Sequence, residues 1–96
     1  MKIAICDDEK IMREYLKKEI DFYFQSLDVL TLCYGSGEEL LADCEKKQYD
    51  IVFLDIEMRG LNGLQVAKRL HAWKKDLPIV MVTTHTELAM EGYEVQ

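Results

Sequence analysis

Ile51-Val52-Phe53-Leu54 is the most apolar run in the chain, and it stops at the carboxylate of Asp55. A short run without polar residues is typical of a β-strand buried on both faces, as in a parallel sheet covered by helices. The run therefore predicts a central strand with an acidic side chain at its carboxyl end.

Three further apolar runs predict the other strands of such a sheet. They lie at residues 3–6, 29–34 and 79–82, and the last of them follows Pro78. Each run is short and rich in residues that favour strands. The four runs are far enough apart in sequence to leave room for a helix between each pair.

Helices are predicted between the strands, because apolar residues recur there in steps of three and four. The first segment covers residues 12–27, and the third covers residues 64–73, with these side chains on one side: Leu64, Ala67, Leu70 and Trp73. Ser36 and Glu39 have the spacing of a capping box, which predicts the start of the second helix. A last short helix is predicted for residues 86–93.

The predicted order of elements is βαβαβαβα, within 96 residues that allow one domain. Alternating strands and helices indicate an α/β fold, with helices on both faces of a parallel sheet. Right-handed crossovers leave few strand orders, and we expect the doubly wound, flavodoxin-like order 2-1-3-4 among them.

The composition excludes several classes of protein. The chain is 49% hydrophobic and 31% charged, which is typical of an ordered globular domain, and its net charge is −6. Negative charge disfavours direct nucleic-acid binding, and no apolar run approaches the roughly 18 residues of a membrane span. Cys6, Cys33 and Cys44 have no CxxC spacing, so we expect reduced core thiols and a cytoplasmic location.

Three carboxylates follow the ends of neighbouring strands in this order. Asp7 and Asp8 follow the first strand, and Asp55 ends the third. Ligands of open α/β sheets bind beyond the carboxyl ends of the strands, where the strand order reverses. Clustered like charges repel, and Mg²⁺, which prefers carboxylates and water, would relieve that repulsion. The sequence therefore predicts a magnesium site at this edge.

Asp55 is the predicted nucleophile of the site. A carboxylate attacks phosphorus without first losing a proton, and a bound cation withdraws charge from the phosphoryl oxygens. Thr83 ends the fourth strand, next to the third, and its hydroxyl could donate to a phosphoryl oxygen on Asp55. That contact would form only in the modified state, as a switch requires.

The ordered set of motifs resembles the receiver domains of response regulators over essentially all 96 residues. It comprises Asp7-Asp8, the run from Phe53 to Met58, Gly63 eight residues after Asp55, and Thr83. The resemblance implies that Asp55 is phosphorylated and that Asp8 and Asp55 bind Mg²⁺ directly. It further implies that Asp7 acts largely through water and that Glu57 supplies its backbone carbonyl to the metal.

The resemblance also implies partners. Receivers take their phosphoryl group from a sensor histidine kinase and act as switches, not as enzymes with an external product. Residues 54–58 and 87–95 are similar to receivers that carry LytTR-type DNA-binding domains, so we expect a C-terminal effector domain that controls transcription.

Two departures from the family pattern carry expectations of their own. Arg59 stands where family members usually have proline. The chain stops at Gln96, before the family's fifth strand, last helix and phosphoryl-binding lysine, so we expect a piece of a longer regulator. A natural protein of 11.2 kDa would contradict this. The fourth strand would then be an exposed edge that favours a homodimer or swapped dimer.

Two functions of other classes remain alternatives. A phosphatase or phosphotransferase with an aspartyl intermediate commonly has a second acid two residues after its nucleophile, where this chain has Glu57. A flavin-binding electron carrier shares the architecture, but its phosphate loop is rich in Ser, Thr and Gly, unlike Asp7-Asp8-Glu9. Purified protein without yellow colour would exclude the carrier.

Overall fold

Strands and helices alternate along the chain in a computed structural model that describes residues 1–25, 27–83 and 93–95. The elements in chain order are β1 (Lys2–Cys6), α1 (Lys10–Tyr23), β2 (Leu30–Tyr34), α2 (Gly37–Cys44), β3 (Ile51–Asp55), α3 (Gly63–Trp73), β4 (Ile79–Val82) and β5 (Tyr93–Val95).

The first four strands form a parallel sheet in the order β2-β1-β3-β4, as predicted. Their register aligns the strand ends: Cys6 pairs with Leu54, and Asp55 pairs with Val82. Burial of both faces explains the continuous apolar runs, since residues of β1 and β3 meet helices on either side. The residues that follow β1, β3 and β4 therefore emerge at one edge of the sheet.

The edge of β4 differs from the prediction. We expected an exposed edge and no further strand, whereas Tyr93–Val95 forms a short antiparallel strand on β4, and Ile79 pairs with Val95. Among residues 1–25, 27–83 and 93–95, no fifth parallel strand is found. The helix predicted for residues 86–93 lies outside the described residues except at Tyr93, which is extended. Pairing of this edge within one chain weakens the argument for strand exchange between copies.

The core is divided unequally by the sheet. The larger cluster lies under α2 and α3 and contains Leu40, Cys44, Leu54, Val66, Leu70 and Met81 among its buried side chains. The smaller cluster lies under α1, and its buried members are Ile3, Ile5 and Ile20. Most of the hydrophobic stabilisation of the described fold therefore comes from the α2/α3 side.

Two predictions about burial were wrong. Leu64 and Trp73 were expected on the buried side of α3, but their side chains are 53% and 50% exposed. Ala67 and Leu70 are buried as predicted, and the helix also buries Gly63 and Val66. Cys33 is exposed on β2, the outer strand of the sheet, whereas Cys6 and Cys44 are buried as expected.

Side chains fix the start of two helices. The Ser36 hydroxyl accepts a hydrogen bond from the Glu39 N–H (3.1 Å), as predicted, while the Glu39 carboxylate accepts from the Gly35 N–H and not from Ser36. Asn62 and Gln65 form a complete capping box at α3, with two bonds of 2.9 Å. Both caps hold helix N-termini near the carboxyl edge of the sheet. No helix within the described ranges has the length and apolarity needed to cross a membrane.

Candidate functional site

Two adjacent parallel strands deliver the acidic side chains to the same edge of the sheet. Asp7 follows β1 directly, and Asp55 is the last residue of β3. The Cys6–Leu54 register places both carboxylates at the same level. Asp7 is fully buried and Asp55 is 2% exposed, which is rare for aspartates because burial removes their hydration.

Asp8 joins these two residues in a compact cluster. One carboxylate oxygen from each of Asp7, Asp8 and Asp55 lies within 4.8 Å of the others. Side chains of Asp8 and Asp55 that pointed apart would have contradicted the predicted metal site. The strand order instead brings all three acids into reach of one ion.

The buried oxygens of the cluster are poorly satisfied by the protein. Asp7 Oδ1 accepts a hydrogen bond from the Glu9 N–H (2.9 Å). Among the described residues, Asp7 Oδ2 and both Asp55 oxygens have no hydrogen-bond partner of normal geometry. Buried carboxylate oxygens are normally paired, so this set could hold a hard cation, for which oxygen ligands are preferred.

Burial and the repulsion of neighbouring acids raise the pKa of two members of the cluster, Asp7 and Asp55. Burial, followed by the negative charge of Asp7, raises the pKa of Asp55 to about 7, although the nearby backbone N–H of Glu57 acts in the opposite direction. Burial also raises the pKa of Asp7. Asp7 and Asp55 therefore bind a proton more readily than free aspartates do, and a cation would compete with that proton.

Gly63 holds α3 against the backbone of the site. A Cβ atom at this position would lie 2.2 Å from the Asp55 carbonyl oxygen and 2.8 Å from the Ile56 Cα. The Gly63 N–H donates to the Ile56 carbonyl (2.8 Å). Only glycine allows this close approach, so the first residue of α3 is tied to the end of β3.

The other two predicted residues flank the acidic cluster. Thr83 follows Val82, which pairs with Asp55, and its side chain is buried (4% exposed). Thr83 therefore emerges at the same edge of the sheet as Asp55. Glu57 is exposed and lies on the loop between β3 and α3. Their roles as phosphoryl contact and carbonyl ligand stay predictions.

Comparison with known families agrees with this geometry. The sequence profile described as "Response regulator receiver domain" matches residues 3–95. The chain belongs to the response regulator receiver family.

Relatives of this receiver domain are longer regulators. It is 39% identical, over 98 residues, to the "Positive alginate biosynthesis regulatory protein" of Pseudomonas aeruginosa, with 99% of this chain and 38% of that protein aligned. It is 31% identical to the "Sensory transduction protein LytT" of Oceanobacillus iheyensis, covering 98% of this chain and 38% of the relative. The receiver domain thus spans about 38% of the length of these curated relatives.

A solved receiver structure supports the same assignment. The response regulator TrrA of Thermotoga maritima, crystallised in complex with Mg²⁺-BeF, superposes with a TM-score of 0.78 and 36% identity. The superposition covers 94% of this chain and 75% of TrrA. Family membership favours the receiver hypothesis over the phosphatase and flavin-carrier alternatives.

Two arginines of the receiver domain contact the site but were not predicted to do so. The Arg13 guanidinium donates to the Asp7 carbonyl oxygen (2.8 Å). The backbone N–H of Arg59 donates to Asp8 Oδ2 (3.1 Å), and its Nε lies 3.5 Å from the same oxygen. The apolar spacing of α1 gave no indication of the first contact. The departure from proline at residue 59 was the only sequence signal of the second.

Proposed function

We propose that Asp55 accepts a phosphoryl group from a sensor histidine kinase and that the modified domain controls an effector domain. The observation that carries this proposal is the cluster of Asp7, Asp8 and Asp55 oxygens within 4.8 Å, in which neither oxygen of the buried Asp55 accepts a hydrogen bond of normal geometry from the described residues. A buried structural aspartate would be expected to have hydrogen-bond partners.

In this reaction the main task of the protein is to position the Asp55 carboxylate against the phosphoryl group. An Asp55 oxygen attacks the phosphorus, the phosphorus–nitrogen bond to the kinase histidine breaks, and its electron pair leaves with the imidazole. The end of β3 fixes the attacking oxygen, and Gly63 fixes the backbone behind it. Such preorganisation lowers the barrier, because the nucleophile does not reorient as charge develops.

Asp7, Asp8 and Asp55, with the backbone carbonyl of Glu57, would hold Mg²⁺. When bound, this ion neutralises the acids and stabilises negative charge on the phosphoryl oxygens. Asp7 Oδ2 and the Asp55 oxygens support this assignment, because they accept no hydrogen bond of normal geometry from the described residues. The Thr83 hydroxyl, emerging beside β3, would donate to a phosphoryl oxygen and distinguish the modified from the unmodified state.

The proposed output is regulation of transcription. The proposed location is the cytoplasm, where a kinase domain and an effector domain can both contact the receiver. The support is the similarity to the LytT protein and the alginate regulator, both of which are longer than this chain. The negative charge of −6 favours control of a separate DNA-binding region over direct contact with DNA.

Phosphorylation tests the proposal directly. Incubation with acetyl phosphate and Mg²⁺ is expected to add one phosphoryl mass, located by peptide mapping to the peptide containing Asp55. Omission of Mg²⁺ should prevent the modification, because the acidic cluster then repels the anionic donor.

Asp55→Asn and Asp50→Asn form a matched pair for this experiment. Asp50 lies at the other end of β3, where it is exposed and accepts a hydrogen bond from the Lys2 N–H (2.7 Å). Asp55→Asn should abolish modification, and Asp50→Asn should retain it. Equal modification of both variants, or modification without Mg²⁺, would contradict the assignment.

A further inference from the structure

Arg59 contacts the most exposed member of the acidic cluster twice. Its backbone N–H donates to Asp8 Oδ2 (3.1 Å), and its Nε lies 3.5 Å from that oxygen. The Asp8 side chain is 17% exposed, whereas that of Arg59 is 91% exposed. The contact therefore joins a largely covered carboxylate to a guanidinium that extends into solvent.

The contact lies beside an open cavity next to the cluster. The cavity has a volume of about 460 Å³ and is lined by acidic residues (Asp8, Glu9 and Glu57), by apolar residues of the β3–α3 region, and by Asn62 and Arg59. Arg59 is the only cationic residue among the described residues that line it. A cation that binds Asp8 from this cavity therefore lies close to the guanidinium.

We infer that Arg59 competes with the divalent cation for Asp8 and thereby lowers the metal affinity of the domain. This inference rests on the proposed function, since it concerns the same metal site. A hydrogen bond and a positive charge on Asp8 Oδ2 both reduce the negative charge available to a metal. A metal ion that binds Asp8 must therefore displace the Arg59 guanidinium, or bind beside it and be repelled by its positive charge.

The structure limits the size of this competition. A 91% exposed arginine can swing into water, so its side chain opposes metal binding only by the strength of an exposed ion pair. That strength corresponds to about a two- to fivefold change in affinity. The backbone hydrogen bond adds to it, because a charged acceptor strengthens the bond. Salt should weaken the side-chain contribution by screening.

Two substitutions separate the two contacts. Arg59→Gln removes the charge and keeps the N–H, whereas Arg59→Pro removes both. Lys75→Gln is the matched control, because it removes one exposed positive charge at the opposite end of the sheet, before β4. Each protein is titrated with MgCl₂ alone by calorimetry at low and high NaCl. Thermal unfolding without Mg²⁺ is measured in parallel.

Competition predicts that Arg59→Gln binds Mg²⁺ about two- to fivefold more tightly than wild type, with a smaller difference in high salt. Arg59→Pro should bind more tightly still, and Lys75→Gln should match wild type. Metal-free stability should fall or stay constant in Arg59→Gln, which separates competition from a general change in folding. Affinity unchanged or weakened in Arg59→Gln, with wild type binding Mg²⁺, would overturn this inference alone. Absence of Mg²⁺ binding by every protein would overturn the proposed function as well.

Discussion

Asp55→Asn is expected to stabilise the metal-free protein by about 4 kcal/mol at pH 8, because the pKa of Asp55 rises from 3.8 to about 7 on folding and each unit corresponds to about 1.4 kcal/mol. The unfolded chain titrates Asp55 near its ordinary value of 3.8, whereas burial raises the pKa in the folded protein to about 7. The wild-type fold must therefore bury a negative charge at pH 8, and the neutral amide of the variant avoids that cost.

The pH dependence fixes the sign of this effect. A group with a raised folded pKa contributes full stability below its unfolded pKa and loses that contribution as the pH rises through the folded value. The difference between Asp55→Asn and wild type should therefore vanish below pH 3.8, grow as the pH rises towards 7, and reach its maximum above pH 7. Urea unfolding at a series of pH values, in the presence of a chelator, measures it.

Addition of Mg²⁺ should reverse the comparison, since an ion that binds only the folded state stabilises it. Wild type is expected to gain stability with Mg²⁺, and Asp55→Asn to gain much less. Asp76→Asn, which alters an exposed carboxylate before β4, is the control and should follow wild type at every pH. An Asp55→Asn variant less stable than wild type at pH 8 would show that the protein compensates the buried charge.

Gly63→Ala is expected to lower the free energy of unfolding by about 2–3 kcal/mol, as overpacking against an immobile neighbour does. The new Cβ would meet the carbonyl oxygen of Asp55 at 2.2 Å, and backbone atoms at the end of β3 cannot rotate away as a side chain can. Phosphorylation of Asp55 should slow in the same variant, because α3 and the nucleophile would have to separate.

Gly35→Ala is the matched control for this substitution. Its Cβ would find the Arg13 Nη1 atom nearest, at 3.5 Å, which is an ordinary contact with a side chain. Its stability should stay within about 0.5 kcal/mol of wild type, as for other substitutions without a clash. Equal losses for both variants in chemical denaturation would refute the packing argument at Gly63.

The parallel sheet was predictable because a strand that is buried on both faces is a short run of consecutive apolar residues. The runs that became β3 and β4 contain no polar residue before Asp55 and Thr83, so their type and ends followed directly. The strand β5 was not predictable, since Tyr93-Glu94-Val95 is too short for a periodicity and contains a charge. The prediction for α3 was wrong at Leu64 and Trp73. Residue spacing predicts a broad apolar stripe along a helix, but it does not predict which part of that stripe the sheet covers. In α3 the covered part is the one that contains Gly63 and Val66.

The acidic cluster was predictable for a different reason. Strand order and polarity alone place Asp7 and Asp55 at one edge, whatever the loops do. The contact of Arg59 with Asp8 depends on the path of the β3–α3 loop and on a backbone N–H, which every residue except proline carries. The departure from proline at residue 59 shows that the N–H is available, but it does not show which carboxylate accepts from it.

The unequal division of the core implies that the helices on the two faces of the sheet detach at different free energies. Of the 14 residues of α1, all of them described, only Ile20 is buried, so this helix can detach without disturbing the cluster under α2 and α3. Local opening exposes amides without global unfolding. Amide hydrogens of α1 should therefore exchange with deuterium well before those of β3, and the helix would act as a separately fluctuating layer.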